Sequence, residues 1–254
     1  MPIDDPIFYL AAIPAVILVG LAKGGFAGVG VLAMPLLALV MSPIRAASIM
    51  LPLLIVQDAI SVWFYRHTFD RRNLAIMIPG ACVGIALGYV FAAHVSDAAI
   101  EFAVGVIAVV FAARHLLHAR KAEAPPSQGH PVLGVFWGGV AGFVSMIANA
   151  GAPPFQVYVL PQRLPRDVFV GTGVFFFAAV NWIKIPPFLA LGLFTRENLA
   201  TSMVLLPLAA LATWLGVWLV RRVSVERFYK IIYATMAGVG LKLICDGTIG
   251  LMAA

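Results

Sequence analysis

The sequence predicts an all-α, polytopic membrane protein made of two inverted structural repeats, each a broken or re-entrant helical pair followed by about three full spans. Three observations predict it. The chain is 62% hydrophobic and only 11% charged, with a mean hydropathy of +1.00. Apolar runs follow one another along it, several close to the roughly 20 residues that cross a bilayer. The two halves repeat a set of landmarks in the same order.

Composition excludes most other classes. A soluble domain carries about 25% charged residues, and this chain lacks the polar residues to cover a soluble surface. Its runs are continuous, unlike the alternating strands of a membrane barrel. The formal charge of +6 does not indicate nucleic acid, because the cations sit in short loops between apolar runs. Cys82 and Cys245 lie far apart inside apolar runs and read as small packing residues. The start, MPIDDPIF, is acidic and lacks a basic segment, so no cleaved signal peptide is expected. His115 and His118 have i,i+3 spacing but no neighbouring carboxylate or cysteine, so neither metal nor cofactor is expected. No nucleophile elbow, phosphate loop or HExxH motif occurs, so no enzyme is expected.

The apolar runs are 6–22, 26–41, 46–65, 74–93, 98–117, 132–149, 151–161, 168–193, 199–220 and 228–250. Runs 26–41 and 151–161 are short for a span and interrupted by Gly or Pro, so each either spans as a broken helix or re-enters. A Pro-, Ser- and Gly-bearing linker at 121–130 divides a first repeat, 1–120, from a second, 131–254. FDRRNLA (69–75) aligns with FTRENLA (194–200), Leu87-Gly88 with Leu215-Gly216, and Val95-Ser96 with Val223-Ser224. Gly25-Phe26 followed by Pro35 aligns with Gly142-Phe143 followed by Pro153. Lys and Arg are dense in 66–72, 114–121, 161–167 and 221–230 and sparse in 42–45, 94–97 and 194–198. If the dense loops are cytoplasmic, FDRRNLA lies inside and FTRENLA outside, so the repeats are inverted, as in many secondary transporters.

Four stretches place polar groups at membrane depth. GLAKGGFAGVG (20–30) breaks a span with glycines, so free N–H groups and Lys23 can cradle an anion through Gly24, Gly25 and Gly28. The same glycines also suit a helix-packing seam, with Lys23 as a loop cation. SMIANAGAPPFQ (145–156) is the counterpart break, with Asn149 and Gln156 as amide donors or, alternatively, a plain proline kink. Gln57-Asp58 puts a carboxylate inside a span, where it faces a cavity, a proton path or a structural cation. NWIKIPP (181–187) occupies the corresponding place in the second half. There Pro186 removes a backbone hydrogen bond and kinks the helix, and Asn181 and Lys184 either serve a buried site or, for Lys184, snorkel to the interface. Asp58 is the candidate coupling carboxylate or the partner of Lys184.

With KGGFAGVGV followed by MPLL, its half-repeat, SPIRAAS, and NWIKIPP followed by LGLF, the chain resembles the TauE/SafE family of sulfite and organosulfonate exporters over roughly residues 10–245. The resemblance implies a small secondary transporter for sulfur-containing anions such as sulfite, thiosulfate or sulfoacetate in a bacterial inner membrane, with proton coupling by family analogy. The expected partners are a small anionic substrate, protons and membrane lipid, with a homo-oligomer left open. Intramembrane Lys23 and Lys184 independently suit an anion, and a carboxylate asks for the same donors as a sulfonate.

Overall fold

The computed structural model describes residues 2–26, 29–92, 94, 96–118, 128–219 and 226–252. Gly28, linker residues 121–127, the match of Val95 with Val223, Ser224, and the side chains of His115 and His118 lie outside the described residues.

Among the described residues the chain forms ten α-helices and no strand. They are α1 (Pro6–Gly24), α2 (Ala33–Ala38), α3 (Pro43–Tyr65), α4 (Arg71–Ala92), α5 (Asp97–His118), α6 (Pro131–Ala148), α7 (Ala152–Val159), α8 (Arg166–Ala190), α9 (Arg196–Leu219) and α10 (Glu226–Met252). Helices α1, α3, α4, α6, α8 and α9 are long and apolar enough to cross a membrane. The chain is an integral membrane protein. Each half therefore presents a long helix, a short one and three long ones, in that order. The short runs are short helices, as expected: α2 follows a 3₁₀ turn, Val29–Leu32, and α7 runs into another, Leu160–Gln162.

Prolines begin several helices where a missing N–H costs nothing, as at Pro6, Pro43 and Pro131. Asp5 caps α1 by accepting from the Ile7 N–H at 2.9 Å. Proline inside a span is tolerated too: α8 continues through Pro186 and Pro187 to Ala190, with no break at that pair.

Hydrogen bonds place the helix ends. At one end of the bundle, the Ile3 N–H donates to Thr201 Oγ1 (3.0 Å), Asn198 Nδ2 donates to Ser48 Oγ (2.9 Å) and Arg45 pairs with Glu197 (2.8 Å). The starts of α1, α3 and α9 thus lie together. At the other end, Tyr65 Oη donates to Gly24 O (2.9 Å), the Asp70 N–H to Thr172 Oγ1 (2.9 Å), and Arg72 to Gln128 O and Gly129 O (3.2 and 3.4 Å). Asn73 and Gln162 exchange amide bonds there at 2.9 and 3.1 Å. So the starts of α4, α6 and α8 share the end opposite to the start of α9. This second end also holds Arg66, Arg71, Arg72, Arg163 and Arg166.

Asn198 occupies the position in α9 that Asn73 occupies in α4, and each is buried in the hydrogen bonds of its own end. Asn198 also donates to Leu193 O (3.0 Å) and accepts from Arg45 Nε (3.3 Å). Asn198→Ala leaves these groups unmatched and is expected to lower stability by about 1–3 kcal/mol, read as a drop in thermal midpoint in detergent. An unchanged midpoint would mean that water replaces the amide.

Packing exchanges elements between the halves. Helix α1 lies along α9, and α6 along α4. Both seams set glycines against the facing helix backbone: Gly20 meets Ala212, Gly24 meets Gly216, Gly80 and Gly84 meet Val135 and Gly139, and Gly138 and Gly142 meet Met77 and Ala81. Without side chains between them the backbones approach closely enough for Cα–H···O contacts, the usual source of helix adhesion in lipid. Helix α5 packs antiparallel on α10, with Ala98 beside Gly250 and Gly105 beside Gly240. Large side chains such as Leu10, Trp63, Trp182 and Met203 point outward, 62–75% exposed, as a lipid-facing surface requires. Cys82 and Cys245 are on that surface, not in the packed interior as expected. Apolar runs do not distinguish a lipid-facing position from a buried one, because both are apolar.

Candidate functional site

Both helix breaks border one cavity of about 130 Å³. From the first break come Ala22, Lys23 and Gly30; from the second come Asn149, Ala150 and Ala152. Gln156, Asn181 and Ser145 add polar groups, and Phe155, Phe177, Met34, Met50 and Leu54 supply apolar wall. The cavity reaches Phe169 and Val170 in the first turn of α8, toward the arginine-bearing end.

The breaks are built differently. Helix α1 ends at Gly25, whose φ of 128° is closed to an L side chain. Helix α6 ends at Asn149 in the left-handed region, φ 49°, which asparagine tolerates best after glycine. So the counterpart of Gly25 is Asn149. The expected pairing of Gly25 with Gly142 does not hold, because Gly142 is inside α6, where a Cβ would lie 2.3 Å from Ala81 O. Gly142 serves the seam, not the break.

Five of the expected residues come together. Lys23 forms an ion pair with Asp58, its side chain 12% exposed and that of Asp58 2%. Asn181 Nδ2 donates to the other Asp58 oxygen at 2.6 Å. Asp58 is fifteen residues into α3 and Asn181 fifteen into α8, so the bond joins the two helices at the same distance from their starts. Lys184 is fully buried, not snorkelling, and donates to Asn149 Oδ1 and to Ser145 O at 3.2 Å. Asn149 Nδ2 in turn donates to Ala47 O at 3.1 Å. The partner of Asp58 is therefore Lys23 and not Lys184: α1 returns its C-terminal turn to α3, while Lys184 reaches the end of α6. The two lysines also lie near aromatic faces, Lys23 5.5 Å from the Phe177 ring centroid and Lys184 5.8 Å from that of Phe188.

The glycine cradle is not assembled as expected. Gly24 packs on Gly216, and the Gly25 N–H donates to Ala22 O at 3.1 Å; neither lines the cavity. Nor does α7 present a row of free N–H groups, since Pro153 and Pro154 have none. The donors facing the cavity are side chains. Gln57, whose amide donates to Val16 O and Ala209 O at 3.4 and 3.3 Å, ties α3 to α1 and α9 behind the site.

Chemically, the arrangement is a small, mostly apolar chamber with an ion pair, amides and a second buried cation at its polar edge. Among the described residues no cluster of three or more His, Cys, Asp or Glu forms. A family model described as the sulfite exporter TauE/SafE matches residues 12–243. No curated protein and no solved structure matches the chain significantly.

Proposed function

Because the chain belongs to the sulfite exporter TauE/SafE family, a family of transport proteins, we propose that it exports small sulfur-containing anions (sulfite, thiosulfate, sulfoacetate or other organosulfonates) across a bacterial inner membrane, coupled to protons. The observation that carries this reading is the single cavity bordered by both helix breaks, with Lys23 on its wall and Lys184 behind Asn149. A cation buried in a membrane bundle is costly, and a substrate anion offsets that cost. Lys23, Asn149, Asn181 and Lys184 form the anion site, with Gly24 and Gly25 shaping the break beside it. Asp58 is the coupling carboxylate: its protonation would release Lys23 to the substrate.

Residues 1–120 and 131–254 act as inverted repeats. Supporting this are the opposite placement of the starts of α4 and α9, and the exchanged seams. The arginine-bearing end is the cytoplasmic one by the positive-inside rule. Rocking of the two repeats about the Asp58–Asn181 bond gives each face access in turn.

Flux of sulfite and sulfoacetate into proteoliposomes, with and without a pH gradient, tests the proposal. Saturable flux that follows the gradient is expected. Unsaturable, gradient-independent flux would identify a passive anion channel, and flux of carboxylates alone would reassign the substrate. Asp58→Asn keeps one carbonyl acceptor for Lys23 but cannot take up a proton. It is expected to leave saturable flux that no longer responds to the gradient. Full gradient response in that variant would remove Asp58 from coupling.

A further inference from the structure

The polar groups at the cavity have unequal commitments. Lys23 gives one of its three N–H donors to Asp58, and Asn181 one of its two. Asn149 accepts from Lys184 and donates to Ala47. Gln156 differs: it is 8% exposed, it lines the cavity from the second turn of α7, and among the described residues no group hydrogen-bonds its side-chain amide. An amide that opens on a cavity without a protein partner is free to bond a ligand or water there.

The charges around the same cavity are also unequal. Lys23 and Asp58 cancel. Lys184 has neutral partners, Asn149 Oδ1 and Ser145 O, both on residues that line the cavity; among the described residues no carboxylate lies within ion-pair distance of it. With Asp58 ionised and Lys184 protonated, the site carries one net positive charge. In an apolar chamber each further charge must bring its own counter-charge or remain desolvated and unpaired.

We infer that the cavity is a monoanion site: Lys184, acting through Asn149, supplies the counter-charge, and Gln156 donates directly to the anion's oxygens. The inference rests on the transport reading above and narrows its substrate class. Singly charged anions, bisulfite and simple alkanesulfonates, are preferred over the doubly charged sulfite and sulfoacetate. The apolar wall of Phe155, Phe177, Met34 and Met50 suits the alkyl tail of a sulfonate and not a second anionic group. A dianion fits only when Asp58 is neutral, since the net charge of the site then rises by one.

The test compares 1-propanesulfonate with sulfoacetate, which are similar in length but differ by one charge at neutral pH, as competitors of flux in proteoliposomes. Wild-type protein is expected to be half-inhibited by propanesulfonate at a concentration about tenfold lower than by sulfoacetate. Gln156→Leu, close in volume, is expected to raise both values about tenfold by removing a hydrogen bond to a charged ligand, with Gln156→Asn intermediate. Asp58→Asn is expected to favour sulfoacetate. Equal or tighter inhibition by sulfoacetate in the wild type overturns the monoanion site, and unchanged values in Gln156→Leu remove Gln156 from it; both leave transport standing. Absence of any saturable flux from folded wild-type protein instead overturns the transport reading, and this inference with it.

Discussion

Lys184→Met is expected to lower anion flux by at least about 100-fold while the protein still folds and inserts. Methionine matches the length of the lysine stem, so the packing of a side chain with no exposed surface is nearly conserved. The change leaves Asn149 Oδ1 without its donor, at a cost of about 1–3 kcal/mol. It also removes the burden of a desolvated ammonium, which works in the opposite direction and is of similar size or larger. Stability should therefore change little. Transport should not survive, because a desolvated anion loses its only excess counter-charge, and a loss of about 2.7 kcal/mol already corresponds to 100-fold. The measurement is initial flux at matched reconstitution, beside a thermal midpoint in detergent. Flux near the wild-type rate, with an unaltered midpoint, would show that Lys184 is structural.

Gly84→Leu should have the largest effect on assembly. A Cβ at Gly84 would stand 1.9 Å from Gly139 O, a backbone atom that no rotamer change can move. Ordinary overpacking costs about 1–3 kcal/mol because side chains yield. Here α4 and α6 must separate along their whole seam, and the exchange between the halves goes with it. The expected result is a protein that elutes from size exclusion as aggregate. The control is on the facing helix: a Cβ at Gly139 meets Gly80 O at 3.4 Å, ordinary contact, so Gly139→Ala should remain monodisperse. A folded, monodisperse Gly84→Leu would show that the seam is looser than its spacing.

Membrane character and the short second and seventh helices were legible in the sequence, as was the polar stretch 181–187 at the depth of Gln57-Asp58. Length and hydropathy act locally, and a repeated landmark such as FDRRNLA and FTRENLA sets depth along each helix. Azimuth was not legible. Depth alone leaves both lysines within range of Asp58; only the packing of α1 against α3 selects Lys23. Glycine was ambiguous for the same reason. Gly25 and Gly142 look alike in the chain, but one ends a helix and the other lets a backbone come close. Asn149 carried the better signal of a helix end, since asparagine is the residue that replaces glycine at a left-handed position. The cysteines were misplaced because burial in protein and exposure to lipid demand the same polarity. Gln156 was visible as an amide donor, but its lack of a partner is a property of the assembled cavity.

The exchanged seams also set the order in which the protein can be made. Ile3, at the head of α1, finds its partner Thr201 at a sequence separation of 198. At roughly 5–20 residues per second, synthesis delivers that partner about ten to forty seconds later. Until then the glycine faces of α1 and α4 are in the bilayer without α9 and α6, each a smooth strip that any small-residue helix could occupy. The first half can insert alone but cannot close. A ribosome stalled at the central linker would leave a half-bundle waiting in the membrane, and a second half supplied on a separate chain should be able to complete it.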